Sequence, residues 1–263
     1  MNTNEIEARL QFGLDISARA EAIVMKYFLD DSLQISLKQD QSPVTVADRG
    51  AEEFLRGKIG QEFPEDGVMG EEFGEKSGTS GYRWILDPID GTKSFIHGVP
   101  LFGMLIGIQY DEDYAAGICR IPALEEVVYA HRGGGAWWQR GDSRPVAAKI
   151  RPTNEMRDAL FLFTAVEGFQ QIGRFDALEA FSNSCKLSRS WGDCYGHILV
   201  ATGRADLMVD PLLAEWDGAA LMPIIEEAGG IFMDWTGQAT VSGGNGISCV
   251  PALREAILHV TRR

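Results

Sequence analysis

Basic residues are scarce in this chain: 24 Lys and Arg stand against 38 Asp and Glu in 263 residues, a formal charge of −14. That excess opposes nonspecific binding to nucleic acid or to an anionic membrane, and no basic stripe reverses it locally. A small-molecule partner is expected, and an anionic one would need divalent cations to offset its charge. Cysteine is also sparse. Cys119, Cys185, Cys194 and Cys249 lie far apart without a C-x-x-C pair, so reduced thiols in a cytoplasmic protein are expected rather than a disulfide framework. Long hydrophobic runs are missing: the longest, Leu101 to Ile108, is too short to span a bilayer and is interrupted by Gly103 and Gly107. The opening residues Met1-Asn2-Thr3-Asn4-Glu5 carry no secretion signal. His97, His131, His197 and His259 show no metal-ligand spacing, and a packed or surface role is expected of each.

Apolar residues make up 45% of the chain, enough for one large domain or two intimately packed units with a substantial core. Ile6, Leu10, Leu14 and Ala18 recur every four residues, with Ile23, Val24, Tyr27 and Phe28 beyond, and predict a long N-terminal amphipathic helix. A second helix is predicted from about Asp48 to Ile59, with Ala51, Phe54, Leu55 and Ile59 inward, after a turn-rich hairpin or loop at Lys38–Thr45. From Tyr82 to Gln139, five short β-type runs, Tyr82–Leu86, Phe102–Ile108, Ala115–Ile121, Val127–Ala130 and Ala136–Gln139, predict a mixed or antiparallel sheet. Beyond Pro145 strand and helix patterns alternate, with helices near Phe175–Ser184, Asp193–Thr202 and Trp216–Ala228. Pro223 is expected to kink the last of these or mark its first turn.

The chemistry concentrates in Trp84-Ile85-Leu86-Asp87-Pro88-Ile89-Asp90-Gly91-Thr92, where an apolar strand gives way to two carboxylates, a glycine and a hydroxyl. Pro88 stiffens the turn so that Asp87 and Asp90 can aim at one point, with the Ile89 carbonyl as a further oxygen ligand. Oxygen ligands favour Mg²⁺, Mn²⁺ or Ca²⁺ over zinc. Two more acidic segments, Gly70-Glu71-Glu72 and Glu215-Trp216-Asp217-Gly218, would complete a cavity of four or five carboxylates. Their mutual repulsion demands cations between them, and two or more Mg²⁺ ions would make a catalyst for phosphoryl transfer. Backbone N–H groups at Gly91 and Thr92 are candidates for phosphate oxygens, and Thr92 with Asp48 for orienting the attacking water. Each residue alone also has a plainer reading: Glu71-Glu72 a solvated pair, Asp48 a helix cap, Trp216-Asp217 a cap, Asp87-Pro88 an ordinary turn. Only their joint order and spacing outweighs these.

Two motifs, Trp84 to Phe95 (WILDPIDGTKSF) and Trp216 to Gly230 (WDGAALMPIIEEAGG), together with Gly70-Glu71-Glu72 upstream, give the chain its resemblance to the inositol monophosphatase superfamily. The resemblance covers essentially the full length. It implies an α+β fold, a layered αβαβα sandwich of the inositol monophosphatase / fructose-1,6-bisphosphatase type, commonly homodimeric, and lithium-sensitive hydrolysis by a metal-activated water without a covalent phosphoenzyme. Residues 1–145 would form an α+β half carrying most metal ligands, and 146–263 an α/β half with Asp217 and the specificity residues, the two making one compact unit. Glu71, Asp87 and the Ile89 carbonyl would hold a first Mg²⁺, Asp87, Asp90 and Asp217 a second, and Glu71 would help with a weaker third. Mn²⁺ would substitute, while Ca²⁺ and Li⁺ would inhibit. Thr92 with Asp48 would activate the water, the Gly91 and Thr92 amides would bind phosphate, and Lys38 matches a basic residue near the entrance.

The substrate must be read elsewhere. In the inositol phosphatases a small residue stands at the position of Asp193 and a glutamate at that of Asp210; here both are aspartates. A cationic amine or imidazolium would pair with an added carboxylate, and a neutral polyol would not. Together with Ser190-Trp191-Gly192-Asp193, Asp210-Pro211, Asp90 to Gly98 and Gly243-Gly244, this resembles the histidinol-phosphatase branch. L-histidinol phosphate, in histidine biosynthesis, is the expected substrate, with Arg189, Asp193, Asp210 and Asp217 as substrate residues and Glu72 and Trp191 as further candidates. Asp193 also reads as a helix cap, Trp191 as a packed aromatic and Arg189 as a surface ion pair. Inositol 1-phosphate or a broad range of sugar phosphates is the alternative, and a non-catalytic metal-binding scaffold the remote one.

Overall fold

In a computed structural model that describes residues 3–30, 33, 35–37 and 43–262, the chain opens with helix α1 (Thr3–Met25). Its buried face is Ile6, Arg9, Leu10, Gly13, Ile16, Ser17, Ala20 and Val24. Leu14 is only half-buried and Ala18 is exposed, because a strict four-residue spacing drifts off the face of a helix whose period is 3.6. β1 (Ile35–Leu37) and β2 (Pro43–Thr45) pair antiparallel, and residues 38–42 of the expected hairpin or loop lie outside the described residues. Then comes α2 (Val46–Glu62), four turns begun by a capping box in which Thr45 is the cap and Asp48 the third helical residue.

β3 (Gly67–Gly70), β4 (Gly74–Lys76), β5 (Tyr82–Asp90), the short helix α3 (Thr92–Ile96), β6 (Gly103–Tyr110), β7 (Asp113–Ile121), β8 (Glu126–His131), β9 (Gly135–Arg140) and β10 (Val146–Ala147) follow. These strands form an eight-stranded sheet in the order β10-β9-β8-β7-β6-β5-β3-β4. The strand expected to stop at Leu86 instead continues to Asp90, with a register shift against β6 between Asp87 and Asp90. The acidic turn is thus an irregularity inside the strand, which pairs with β6 at Asp87 before it and at Asp90 after it.

The rest comprises β11 (Leu160–Phe163), α4 (Val166–Gln171), α5 (Phe175–Ser184), β12 (Leu187–Arg189), α6 (Asp193–Ala201), β13 (Leu207–Asp210), α7 (Glu215–Glu227), β14 (Ile231–Met233), β15 (Gly246–Cys249) and α8 (Arg254–Thr261). Its five strands run β12-β11-β13-β15-β14. Helices α1 and α2 cover one face of the large sheet, α6 and α7 lie between the two sheets, and α4, α5 and α8 close the outer face of the small one. This is the αβαβα sandwich expected. Pro223 sits well inside α7 rather than in its first turn. The helix approaches the sheet closely there because Gly107 on β6 and Gly117 on β7, opposite each other in register, face Ala219 and Ala220.

Candidate metal centre and substrate pocket

One ligand oxygen from each of Asp87, Asp90 and Asp217 falls within 4.8 Å of the others, making the metal-competent trio among the described residues. Asp87 and Asp90 come from the irregularity in β5, where Asp87 Oδ1 accepts a hydrogen bond from the Ile89 N–H at 3.0 Å. Asp217 comes from the first turn of α7, and its Oδ2 accepts from the Ala214 N–H at 2.8 Å. Asp48 repeats that arrangement on α2, its Oδ2 accepting from the Thr45 N–H at 2.8 Å and the Thr45 hydroxyl at 2.6 Å. Both carboxylates are therefore pinned by one oxygen at a helix start, where the macrodipole favours negative charge.

Among the described residues no ion pair joins the trio to a basic side chain, and the acids resist ionisation. Burial, joined by the charges of Glu71, Asp90 and Asp217, pushes Asp87 well above the usual carboxylate range. Burial does the same for Asp90, with Asp193 and Asp217 adding, although hydrogen bonding from Cys194 opposes it. Asp217 is pushed up to about 7 by burial, against the hydrogen bond from Ala214. Buried acids crowded in this way, all of them oxygen donors, fit a divalent cation. Glu71 stands outside the trio but near enough for its charge to act on Asp48, Asp87 and Asp217.

Glu71 owes its place to a residue without a sequence signature. Glu52 of α2, fully buried, accepts hydrogen bonds from the backbone N–H groups of Glu72 and Phe73 at 2.8 and 3.2 Å and from Arg56 at 2.7 Å. A Cβ at Gly70 would lie 2.1 Å from a Glu52 oxygen, so any larger residue there would displace the Glu52 carboxylate. Thr92 and Asp48 are each engaged locally. The Thr92 hydroxyl donates to the Ile89 carbonyl at 3.0 Å, and no hydrogen bond joins it to Asp48 among the described residues. Asp48 is raised by burial, against its hydrogen bonds from Thr45.

Asp193, 103 residues beyond Asp90, comes near enough to the trio for its charge to act on Asp90. It adopts the left-handed backbone region, φ 51°, at the start of α6. Gly91, also left-handed at φ 79°, leaves room for it: a Cβ there would lie 3.1 Å from Asp193 Oδ2. Burial and the charges of Asp210 and Asp217 push Asp193 up to about 7, with Lys93 opposing. The next N–H, that of Cys194, donates to Asp90 Oδ2. Asp210, buried at the end of β13, has both oxygens occupied: Oδ1 accepts from the Thr164 hydroxyl and Oδ2 faces the His197 ring. Arg189 is exposed and donates to the Ser188 carbonyl, and Trp191 is 41% exposed. Lys38 lies outside the described residues.

An αβαβα sandwich whose central strand and two helix starts converge on an all-oxygen acidic cluster defines a class, the phosphoric monoester hydrolases. The chain belongs to the inositol monophosphatase family, whose profile matches residues 5–263. It is 42% identical to a histidinol-phosphatase of Chlorobaculum parvum over 238 residues, covering 90% of each chain. It is 34% identical to a histidinol-phosphatase of Mycobacterium tuberculosis over 249 residues, covering 95% of this chain and 96% of that one. Its fold superposes on an inositol monophosphatase from Zymomonas mobilis with a TM-score of 0.85 at 32% identity, covering 98% of each. Among the described residues, no helix is long and apolar enough to cross a membrane.

Proposed function

We propose that this phosphatase is Mg²⁺-dependent and hydrolyses L-histidinol phosphate to L-histidinol and phosphate, a step of histidine biosynthesis. The observation that carries the reading is the pair of carboxylates beyond the metal trio, Asp193 against Gly91 with Asp210 close enough to act on its charge. A neutral polyol brings no charge to offset the desolvation of Asp193, which Lys93 opposes only in part, whereas the amine or imidazolium of histidinol phosphate offsets that cost. The histidinol-phosphatase relatives support the same substrate, and the likeness to an inositol monophosphatase supports inositol 1-phosphate as the second reading.

Held by Glu71, Asp87, the Ile89 carbonyl, Asp90 and Asp217, Mg²⁺ would neutralise the phosphate and acidify a water. The chain's own groups do the remainder. Thr92 and Asp48 orient the attacking water, and the raised pKa of Asp48 suits it to take up a proton. The Gly91 and Thr92 amides face the phosphate, and Asp193 holds the cationic end of the alcohol. On this reading Mn²⁺ replaces Mg²⁺, Ca²⁺ and Li⁺ inhibit, and the enzyme works as a cytoplasmic homodimer.

The test is phosphate release from L-histidinol phosphate, myo-inositol 1-phosphate and fructose 1,6-bisphosphate at matched concentrations with Mg²⁺. The highest kcat/KM is expected for histidinol phosphate, and a higher value for inositol phosphate refutes the assignment. Asp193→Ala should lose histidinol phosphate selectively; an equal loss on a neutral ester makes Asp193 a structural cap.

A further inference from the structure

His197 is fully buried in the second turn of α6, one turn beyond Asp193 on the same helix face. Its Nδ1 lies 2.6 Å from Ser248 Oγ and its Nε2 3.1 Å from Asp210 Oδ2, while the ring packs against Phe232 at 5.9 Å between centroids. An ionised carboxylate only accepts, so Nε2 carries a hydrogen and donates to Asp210, and the Ser248 hydroxyl can complete the ring by donating to Nδ1. On the other side of Asp210 the Thr164 hydroxyl donates to Oδ1, and Thr164 Oγ1 in turn accepts from the Asp193 N–H at 2.9 Å.

The bonds therefore form a closed loop. From His197 the path runs through Asp210 on β13 and Thr164 just past β11, and returns to α6 at Asp193. Gly192 lets the strand end come this close: a Cβ there would lie 2.1 Å from the Thr164 Cα. The loop ties the first turn of α6 to two strand ends and supports Asp193 in its left-handed conformation, which carries its carboxylate toward Gly91.

We propose that His197 is a positioning residue for substrate choice: by donating to Asp210 it holds the Asp210–Thr164–Asp193 bridge, and with it the orientation of the carboxylate that meets the cationic end of the alcohol. This rests on the histidinol-phosphate reading. His197 touches neither the phosphate site nor the metal trio, so its loss separates recognition of the alcohol from cleavage of the ester.

The experiment compares wild type, His197→Phe and His197→Gln on L-histidinol phosphate and on phenyl phosphate, which carries no cation. His197→Phe fills the space without the hydrogen bonds and should raise KM for histidinol phosphate at least about tenfold, with kcat and phenyl phosphate hydrolysis within about threefold, the scale of a lost charged hydrogen bond. His197→Gln keeps a donor near the Nε2 position and should recover most of the loss. An equal loss on both esters, or a Gln variant no better than Phe, overturns the proposal. Should His197→Phe not fold, Thr164→Val removes the bridging hydroxyl at nearly constant volume and carries the same two outcomes. If wild type shows no preference for histidinol phosphate over inositol 1-phosphate, the substrate reading fails and this inference with it. If wild type shows that preference and His197→Phe keeps it, the positioning inference alone fails.

Discussion

Gly117→Ala on β7 is a one-carbon change expected to reach the metal centre through the packing of α7. The added Cβ would stand 2.0 Å from the Ala220 carbonyl oxygen and 2.7 Å from its carbon, both backbone atoms that no side-chain rotation can move. To reach even a tight contact of about 3 Å, α7 must retreat from the sheet by about 1 Å, and overpacking of that kind costs about 3 kcal/mol. For a chain of this length that lowers Tm by about 6–12 °C. Asp217 sits one turn upstream on the same rigid helix, so the retreat also carries its carboxylate away from Asp87 and Asp90. Ligand distances tolerate only about 0.2 Å, and the Mg²⁺ concentration for half-maximal activity should rise about tenfold. Differential scanning fluorimetry and a Mg²⁺ titration of phosphate release measure both effects. Gly57→Ala and Gly60→Ala in α2 are the controls: nothing lies within 4 Å of either added Cβ, and each should gain about 0.5–1 kcal/mol from helix propensity. A Gly117→Ala protein with wild-type Tm and wild-type Mg²⁺ dependence would refute the packing argument.

Asp66 accepts hydrogen bonds from Arg9, Ser80 and Trp84, which hold its carboxyl below the usual range although burial alone would raise it. Its contribution is present above about pH 4 and is lost as pH falls through the lowered folded value, so acid unfolding of wild type should steepen there. Asp66→Asn, which leaves Arg9 buried without its counter-charge, should cost about 3 kcal/mol in urea melts. In metal-free protein the sign reverses. Asp217, pushed up to about 7, favours the folded state below about pH 4 and loses that advantage as pH rises through 7. With chelator present, Tm should therefore fall between pH 5 and pH 8, most of it below pH 7, by an amount equivalent to about 3 kcal/mol for one such acid, and Mg²⁺ should abolish the trend. A flat chelated profile would contradict the raised acids. Asp90→Asn should weaken metal binding about 100-fold or more and nearly abolish turnover, read by calorimetry and phosphate release.

Long patterned elements were legible in the sequence. α2, α5, α6 and α7 lie within a few residues of their expected bounds, and of the five β-type runs from Tyr82 to Gln139 four fall within strands while the fifth, Phe102–Ile108, begins one residue before β6. β3, β12 and β15, of three or four residues each, carry too few side chains to show an alternation, and they emerge only through pairing. The three acids of the metal trio were readable because Asp-Pro-Ile-Asp and Trp-Asp-Gly are local in sequence. Glu52 and His197 were not, since one glutamate on a polar helix and one histidine on an apolar one carry no pattern. Their roles come from Gly70 and Asp210, which the fold brings to them from 18 and 13 residues away. The extent of β5 was hidden for a related reason: an Asp-Pro step reads as a strand end unless the neighbouring strands hold it in the sheet.

The irregularity between Asp87 and Asp90 has a kinetic consequence. Its two carboxylates point correctly only after β5 has found its register between β3 and β6, since a slip of one residue turns every side chain to the opposite face. Asp217 joins them only when α7 has docked from the other half of the chain. A folding transition state with either step unfinished has no complete cation site. With such a transition state, a bound divalent ion would leave the folding rate unchanged and slow unfolding alone, lengthening the lifetime of the native state in step with its binding free energy.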